Sequence, residues 1–190
     1  MSGFHGDLWF SMVNFHYTVP HPCSLDEANL LSRCELLFTR RGGPGGQHRN
    51  KVESAVVITH VASSITAESN ERRDQHQNRR VAIARLRIHL AWLVRGYPSD
   101  DVEAINASPT QLWSRRNAKG RLLVSVDHWD FAELLAEAID RLFLCGLEVS
   151  TAAEHLGVSS GQLVKLLRCD RGTLTWINQQ RQKLDFPTLR

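Results

Sequence analysis

Residues 41–51 read Arg-Gly-Gly-Pro-Gly-Gly-Gln-His-Arg-Asn-Lys, and this stretch decides how the chain around it folds. Four glycines around Pro44 are incompatible with a regular helix or strand, because glycine and proline both disfavour the interior of these elements. On the amino-terminal side, Cys34 to Arg40 alternates between its two faces. On the carboxyl side, Ser54 to His60 is apolar and β-branched. The sequence therefore predicts two strands joined by a glycine-rich loop.

A third strand and a long helix are predicted next. Ile65 to Glu68 has the composition of a short strand, after a turn at residues 62–64. From about Glu71 to Arg95 the spacing becomes helical, and Gly96-Tyr97-Pro98 predicts the end of that helix. Its apolar face comprises Ile83, Leu86, Leu90 and Leu93. The expected fold class is α+β, a small β-sheet with packed helices.

The rest of the chain divides into a leader, a connector and an all-helical C-terminal module. Pro20 and Pro22 predict an irregular leader, after which Ser24 is expected to cap a short helix through Leu31. Polar residues 97–127 predict a connector with a turn at 117–120 and a short strand-like run from Arg121 to Val126. The predicted helices run from Phe131 to Cys145, from a capping box of Thr151 and Glu154 to about Gly157, from Ser159-Ser160 onward, and from Thr173 to Leu184. The predicted boundaries are 1–22, 23–96, 97–127 and 128–190.

The charge of the chain is unevenly distributed along its length. Residues 1–32 carry a net charge of −3, residues 33–96 carry +7 and residues 97–190 carry −1. A basic middle segment between neutral or acidic ones is typical of a surface that meets nucleic-acid phosphates. An alternative is a set of solvated helix charges, which accounts less well for the segregation.

The composition argues against several other classes of protein. Cys23, Cys34, Cys145 and Cys169 show no metal-ligand spacing, which favours reduced, mostly buried thiols in a cytoplasmic protein over a zinc site or disulfides. No apolar run approaches the roughly 18 residues of a membrane span, and the N-terminus lacks the features of a secretory signal. The sequence predicts no metal, no cofactor and no membrane partner.

Gln47 is the polar side chain that follows the glycines. A nucleotide-binding P-loop is disfavoured, because no Gly-Lys-Ser/Thr follows and the next helix begins some twenty residues later. Glutamine does not titrate, so it serves neither as a general base nor as a nucleophile. Its amide and its backbone N–H are suited to orienting water or holding an oxyanion. From the residues alone, a flexible hairpin tip remains an equal alternative.

Residues Arg40 through Leu90 resemble the catalytic domain of the class-I peptide chain release factors and their codon-independent ribosome-rescue relatives. A bare Gly-Gly-Gln is a weak signal, whereas the same tripeptide followed by Asn, strand, turn and basic helix in order is a strong one. The matching elements are residues 41–47, Asn50-Lys51, Ser54-Ala55-Val56, Thr59-His60, Arg72-Arg73-Asp74-Gln75 and Asn78. The whole layout is similar to bacterial release-factor-like proteins.

The resemblance implies hydrolysis of the ester that joins a peptide to P-site tRNA in the ribosome. Gly45 and Gly46 would let the loop fold tightly, and the backbone N–H of Gln47 would face the reacting carbonyl oxygen while its side chain shapes the water pocket. Ribosomal RNA of the peptidyl-transferase centre and the tRNA would be the partners, and a glutamine methyltransferase would modify Gln47. His48 is expected to contact phosphate rather than act as a base. The expected RNA-binding residues are Arg40, Arg41, His48, Arg49, Asn50, Lys51, Arg72, Arg73, Arg80 and Arg87.

Some features depart from the family pattern. The usual Pro-Thr-Gly turn is Ala62-Ser63-Ser64, and the usual Arg-Ser-Gln is Arg73-Asp74-Gln75. About thirty residues precede the first strand and the end is not a basic tail, so we expect codon-independent release by some other means of docking. Ala153, Gly157 and Leu163 lie at offsets common in helix-turn-helix units. A nucleic-acid-binding regulator, or a ribosome-associated factor without hydrolytic activity, therefore remains an alternative.

Overall fold

A three-stranded antiparallel sheet lies next to the glycine-rich segment. The computed structural model describes residues 16–18, 20–40, 54–97 and 101–190, with the side chains of residues 16, 17 and 102 left out. The sheet has the order β2 (Cys34–Thr39), β3 (Ala55–His60), β4 (Ile65–Ser69). Val56 and Ile58 of the central strand are fully buried. All three predicted strands are confirmed, each within one residue of its expected ends.

The long helix α2 (Gln75–Leu93) covers the sheet. Asp74 caps it, because its carboxylate accepts hydrogen bonds from the backbone N–H of His76 at 2.7 Å and of Gln77 at 3.2 Å. The helix was predicted from about Glu71 to Arg95, so it begins about four residues later and ends two residues earlier than expected. The helix stops at Leu93, because residues 94–95 form strand β5 and pair in parallel with β1 (His16–Tyr17).

The segment before the sheet is more regular than its prolines predict. Besides β1, residues Pro22–Ser24 form a 3₁₀ turn, and α1 (Glu27–Leu31) follows. The expected cap at Ser24 is wrong, because its hydroxyl donates to the carbonyl of His21 at 2.8 Å. Asp26 caps α1 instead and accepts from Asn29 N at 2.9 Å. The irregular leader, predicted for residues 1–22, is thus contradicted at residues 16–17 and at Pro22, while residues 1–15 and 19 lie outside the described part.

Residues 97–127 contain short helices where a polar connector was expected. These are α3 (Val102–Asn106), capped by Asp101, and α4 (Gln111–Arg116), capped by Thr110. A hairpin of β6 (Asn117–Ala118) and β7 (Arg121–Leu122) follows, so the turn at 117–120 is confirmed, but the strand after it ends at Leu122. Trp113 is 1% exposed, and its indole donates to the carbonyl of Leu156 at 2.8 Å.

The C-terminal module has four helices, α5 (Phe131–Leu144), α6 (Val149–His155), α7 (Ser160–Leu167) and α8 (Arg171–Gln182). Their number and order confirm the sequence prediction. The capping box of Thr151 and Glu154 is wrong, because α6 begins earlier. Glu148 is its cap and accepts from Thr151 N at 2.7 Å.

One hydrophobic core extends from the sheet through α2 to α5, α6, α7 and α8. Next to the contact between α2 and α5 lies a buried ion pair, in which Arg95 of β5 donates to Asp140 of α5 at 2.6 Å and Gly96 N donates to the same carboxylate at 3.1 Å. Burial raises the pKa of Asp140 to about 6, although Arg95 opposes the rise. The α+β fold class is confirmed, and sheet and helical module share one interior.

The structure also bears on two expectations from composition, the burial of the thiols and the lack of a membrane span. Cys23 is buried, Cys34 and Cys145 are half-buried and Cys169 is exposed. The expectation of mostly buried thiols is therefore fully met only at Cys23. Burial raises the pKa of the Cys23, Cys34 and Cys145 thiols. Among the helices of the described ranges, none is long and apolar enough to cross a membrane.

Candidate functional site

The glycine-rich loop itself, residues 41–53, lies outside the described residues. Its predicted catalytic residues Gly45, Gly46 and Gln47 therefore have no described position, and neither have Arg41, His48, Arg49, Asn50 and Lys51. The two ends of the loop are described. Thr39 of β2 pairs with Ala55 of β3, so the chain leaves and re-enters the sheet at neighbouring points, about 5 Å apart. The loop thus connects adjacent antiparallel strands, as predicted.

The carboxyl-terminal end of the loop is fixed by Asn78, a side chain in the first turn of α2. Its Nδ2 donates to the carbonyls of Ser54 at 2.7 Å and of Arg72 at 2.8 Å. Its Oδ1 accepts from Arg72 N at 2.9 Å, and it shares the single proton of Ser69 Oγ, which is 3.1 Å away, with the carboxylate of Glu71. A primary amide offers two donors and two acceptor positions, so all four are used. Asn78 joins the residue after the loop to β4, to the turn before α2 and to α2 itself.

Asn78 was not among the site residues predicted from the sequence. It is fully buried, and it precedes Ala82 and Leu86 at four-residue spacing on the same helix face. A polar residue in a predicted apolar stripe was the signal that could have identified it. Such a residue is buried only when its hydrogen bonds are made internally.

A second group of polar residues supports the turn before α2. Ser69 Oγ donates to Glu71 at 2.6 Å, and Arg85 forms an ion pair with Glu71 at 2.7 Å. The hydroxyl of Ser69 and then Arg85 lower the pKa of Glu71 to about 2. Arg85 also donates to the carbonyl of Glu68 at 2.7 Å. These contacts fix the backbone that carries Arg72 and Arg73.

The described basic residues divide into exposed and structurally engaged side chains. Arg40, Arg72, Arg73 and Arg80 are exposed. Arg40 immediately precedes the loop, and the backbone of Arg72 is hydrogen-bonded to Asn78. Arg87 is half-buried and donates to the carbonyl of Cys23 at 2.6 Å. Of the expected RNA-binding residues Arg73, Arg80 and Arg87, the last two lie on α2, whereas Arg73 precedes the helix, which Asp74 caps.

The turn that departs from the family pattern has a positive φ. Ser64 lies at φ 56°, in the left-handed region that glycine adopts most easily. The preceding Ser63 joins its hydroxyl to Nδ1 of His60 at 2.8 Å. This hydrogen bond ties the turn to the end of β3. The Ser-Ser sequence thus occupies the position where the resemblance places glycine, with a side-chain contact in addition.

Comparison with known proteins agrees with this architecture. The RF-1 domain family matches residues 31–122, which include the sheet, the loop, α2 and the hairpin. This match supports membership of the class-I peptide chain release factor family. It is 53% identical over 51 residues to peptide chain release factor 1 of Dictyoglomus thermophilum, an alignment that covers 27% of this chain and 14% of that protein.

Two further relatives come from a bacterium and a plant. A peptide chain release factor homolog of Escherichia coli is 40% identical over 68 residues, covering 36% of this chain and 31% of that protein. Peptide chain release factor PrfB1, chloroplastic, of Arabidopsis thaliana is 37% identical over 71 residues, covering 37% of this chain and 16% of that protein. The chain thus spans less than a third of the length of the curated relatives it matches. These similarities support a function of the release-factor type.

The helix-turn-helix offsets correspond to packing positions. Ala153 in α6 and Leu163 in α7 are each 1% exposed, and Gly157 lies between the helices at φ 62°. Lys165 and Arg168 are the basic residues of α7 and its cap, and both are exposed. In the part of the chain that the structure describes, no three His, Cys, Asp or Glu side chains lie together as a metal site requires.

Proposed function

We propose that this protein hydrolyses the peptidyl-tRNA ester within the ribosome, and that it rescues stalled ribosomes without reading a codon. The observation that carries the proposal is the match of residues 31–122 to the RF-1 domain, with Gly-Gly-Gln at 45–47 on the connection between β2 and β3. The loop joins the ends of two adjacent strands, and Asn78 fixes the residue that follows it. A loop held in this way is well suited to reach into a narrow RNA cavity.

The proposed chemistry requires no titrating protein group. Gly45 and Gly46 let the loop turn tightly, so that the backbone N–H of Gln47 faces the oxygen that becomes negatively charged when water attacks the ester. An oriented donor at such an oxygen contributes about 3–4 kcal/mol to the transition state. The side chain of Gln47 shapes the space for the attacking water. Positioning of that water against the ester supplies the remaining part of the rate enhancement.

The exposed cations provide the proposed binding energy. Arg40 immediately precedes the loop, Arg72 is bonded through its backbone to Asn78 and is followed by Arg73, and Arg80 lies one to two turns into α2. Within the loop, Arg41, His48, Arg49, Asn50 and Lys51 would meet rRNA and tRNA phosphates. Arg87 is assigned mainly to the fold rather than to RNA binding, because it donates to the carbonyl of Cys23. The cytoplasm is the proposed compartment, and a glutamine methyltransferase is a proposed partner acting on Gln47.

The experiment that tests the proposal is release of a labelled peptide from purified ribosome complexes. Three complexes are compared, with a stop codon, a sense codon or no mRNA in the A site. We expect the wild-type protein to release peptide in all three. Gln47→Ala and Gly46→Ala should abolish release while leaving ribosome binding intact, because neither residue is among the proposed phosphate contacts.

A matched control is Gln182→Ala, which changes an exposed glutamine at the end of α8. It should release peptide at the wild-type rate. Near-wild-type release by Gln47→Ala would refute the hydrolytic assignment. Release restricted to the stop-codon complex would refute codon independence alone. Mass spectrometry of the peptide containing Gln47, after incubation with a glutamine methyltransferase, tests the proposed modification.

A further inference from the structure

An exposed aromatic surface lies at the junction of the hairpin and α5. Trp129 is 78% exposed, Leu123 is 58% exposed and Val126 is 39% exposed. Lys119 at the hairpin tip and Arg121 in β7 are exposed as well. We call these five residues the Trp129 surface. Tryptophan has a large apolar surface, so an exposed tryptophan with exposed leucine and valine side chains from the same stretch of chain is a candidate contact for another molecule.

Trp129 packs against a hydrogen-bonded group of side chains, namely His128, Arg116 and Asp130. Its indole stacks on the ring of His128, with centroids 6.0 Å apart and an interplanar angle of 28°. Arg116 donates to Nε2 of His128 at 2.9 Å and to the carboxylate of Asp130 at 2.8 Å. The Asp130 side chain is 3% exposed. Indole, imidazole and guanidinium therefore form a continuous arrangement that extends from a buried carboxylate to solvent.

The same group fixes the hairpin relative to Trp129. Leu123 N donates to the carbonyl of Arg116 at 2.9 Å, which continues the pairing of β6 and β7. Asn117 Nδ2 donates to the carbonyl of Gly157 at 3.0 Å and joins the hairpin to the turn between α6 and α7. The basic hairpin and the indole are thus positioned by shared contacts through Arg116.

The charges of the surface select the class of partner. Lys119 and Arg121 are exposed cations, and Asp127 is an exposed acid of the same stretch. Arg115 is also exposed, but its charge acts on Glu133 of α5, so the argument does not depend on it. An aromatic face beside cations is the arrangement that binds single-stranded nucleic acid, because an unpaired base stacks on the ring while its phosphates meet the cations. A protein partner of mainly apolar chemistry would not need the two cations.

We propose that the Trp129 surface binds single-stranded RNA, with an unpaired base stacked on Trp129 and adjacent phosphates at Lys119 and Arg121. This site is separate from the glycine-rich loop and does not require that the protein hydrolyse peptidyl-tRNA. It gives the helical half of the chain, whose net charge is −1, a local RNA contact.

The test uses the full chain and a fluorescein-labelled single-stranded RNA of about 12 nucleotides, a length within the usual site size for such surfaces. Fluorescence anisotropy gives the Kd. Trp129→Ala should weaken binding roughly tenfold, and Trp129→Phe should retain most of the affinity because the ring still stacks. Trp129→Leu should weaken binding as Ala does, since it keeps apolar area without an aromatic face.

The contribution of charge is measured with a matched pair of double variants. Lys119→Glu with Arg121→Glu should weaken binding and reduce the slope of log Kd against log salt by about 1.4, because two phosphate contacts are lost. The control is Lys165→Glu with Arg168→Glu, which makes the same charge change at α7. It should leave the Kd within twofold of wild type and the salt slope unchanged. Circular dichroism of each variant shows that the fold is retained.

Three outcomes overturn the proposal. Equal affinities of wild type and Trp129→Ala would show that the RNA binds elsewhere, for instance on residues 33–96. Equal RNA affinities of Trp129→Leu and Trp129→Phe would show that no base stacks on the ring and would indicate an apolar protein contact. A larger effect of the α7 double variant would assign RNA binding to the helix-turn-helix segment. Peptide release by the same variants is recorded separately, so a failure here and a failure of the proposed hydrolysis remain distinguishable.

Discussion

Replacing Asn78 by aspartate tests the support of the loop with almost no change in side-chain shape. The two Nδ2 hydrogen bonds, to Ser54 O at 2.7 Å and to Arg72 O at 2.8 Å, lose their donor. Each lost hydrogen bond costs about 1 kcal/mol, and the two carbonyls then face an oxygen atom at a fully buried position. We expect Asn78→Asp to lower the free energy of unfolding at pH 7 by roughly 3–4 kcal/mol.

The pH dependence of this loss identifies its cause. Burial and the two facing carbonyls raise the folded-state pKa of the new carboxyl at position 78 above its unfolded value of about 3.9. Between these two pKa values the folded variant binds more protons than the unfolded chain, so its stability falls as pH rises. The variant should therefore resemble wild type most closely near pH 4. Its deficit should be constant above the folded-state pKa.

Urea unfolding at several pH values measures this effect, with Gln179→Glu as the control at an exposed side-chain amide. The control should change stability by less than about 0.5 kcal/mol. In the peptide release assay, Asn78→Asp should slow release while the protein still pellets with ribosomes, because the loop loses its fixed end. A deficit below about 0.5 kcal/mol at pH 7, independent of pH, would refute the assigned role of Asn78.

Three further predictions address single side chains. Ser64→Gly should stabilise the protein by up to about 1 kcal/mol, because glycine adopts the positive φ at lower cost. A lower Tm of the variant would contradict this and show that serine is the better residue in the Ser63–Ser64 turn. Arg80→Glu should reduce the salt dependence of ribosome binding without changing stability, whereas Arg87→Glu should destabilise the fold through Cys23, and equal behaviour of the two would contradict this division. Burial, and then Arg95, lower the pKa of His21 to about 4, so unfolding at acid pH is favoured by its protonation. Wild type should gain roughly 3 kcal/mol relative to His21→Gln as pH rises from about 4 to 6.5, and parallel stability curves would exclude that linkage.

The parts of the fold that sequence could predict are those with a long, regular pattern. The strands Cys34–Thr39 and Ala55–His60 and the long helices α2 and α5 each show enough residues of one period to be recognised. Helices α3 and α4 have five and six residues, which is too short for an apolar face to repeat. Their caps, Asp101 and Thr110, were the available signal.

The features that sequence did not predict depend on contacts between distant residues. Helix α2 ends at Leu93 because a strand some eighty residues earlier pairs with the next two residues. Arg80 and Arg87 look equivalent in the sequence, and only the neighbouring 3₁₀ turn distinguishes them. The motif at 45–47 was evident from its spacing to later elements, whereas its buried support at Asn78 depends on the sheet and the turn that surround it.

Helix α2 is shared between two halves of the molecule, and this has a consequence for biosynthesis. Its buried residues pack on β3 and β4, which precede it, and on α5, which begins about forty residues after it ends. While the chain is being made, one side of α2 therefore stays uncovered, and Arg95 lacks Asp140, until α5 has left the exit tunnel. The sheet and α2 can thus pack on each other early, but the core around α2 is completed only after α5 has been synthesised, which separates the two folding events in time.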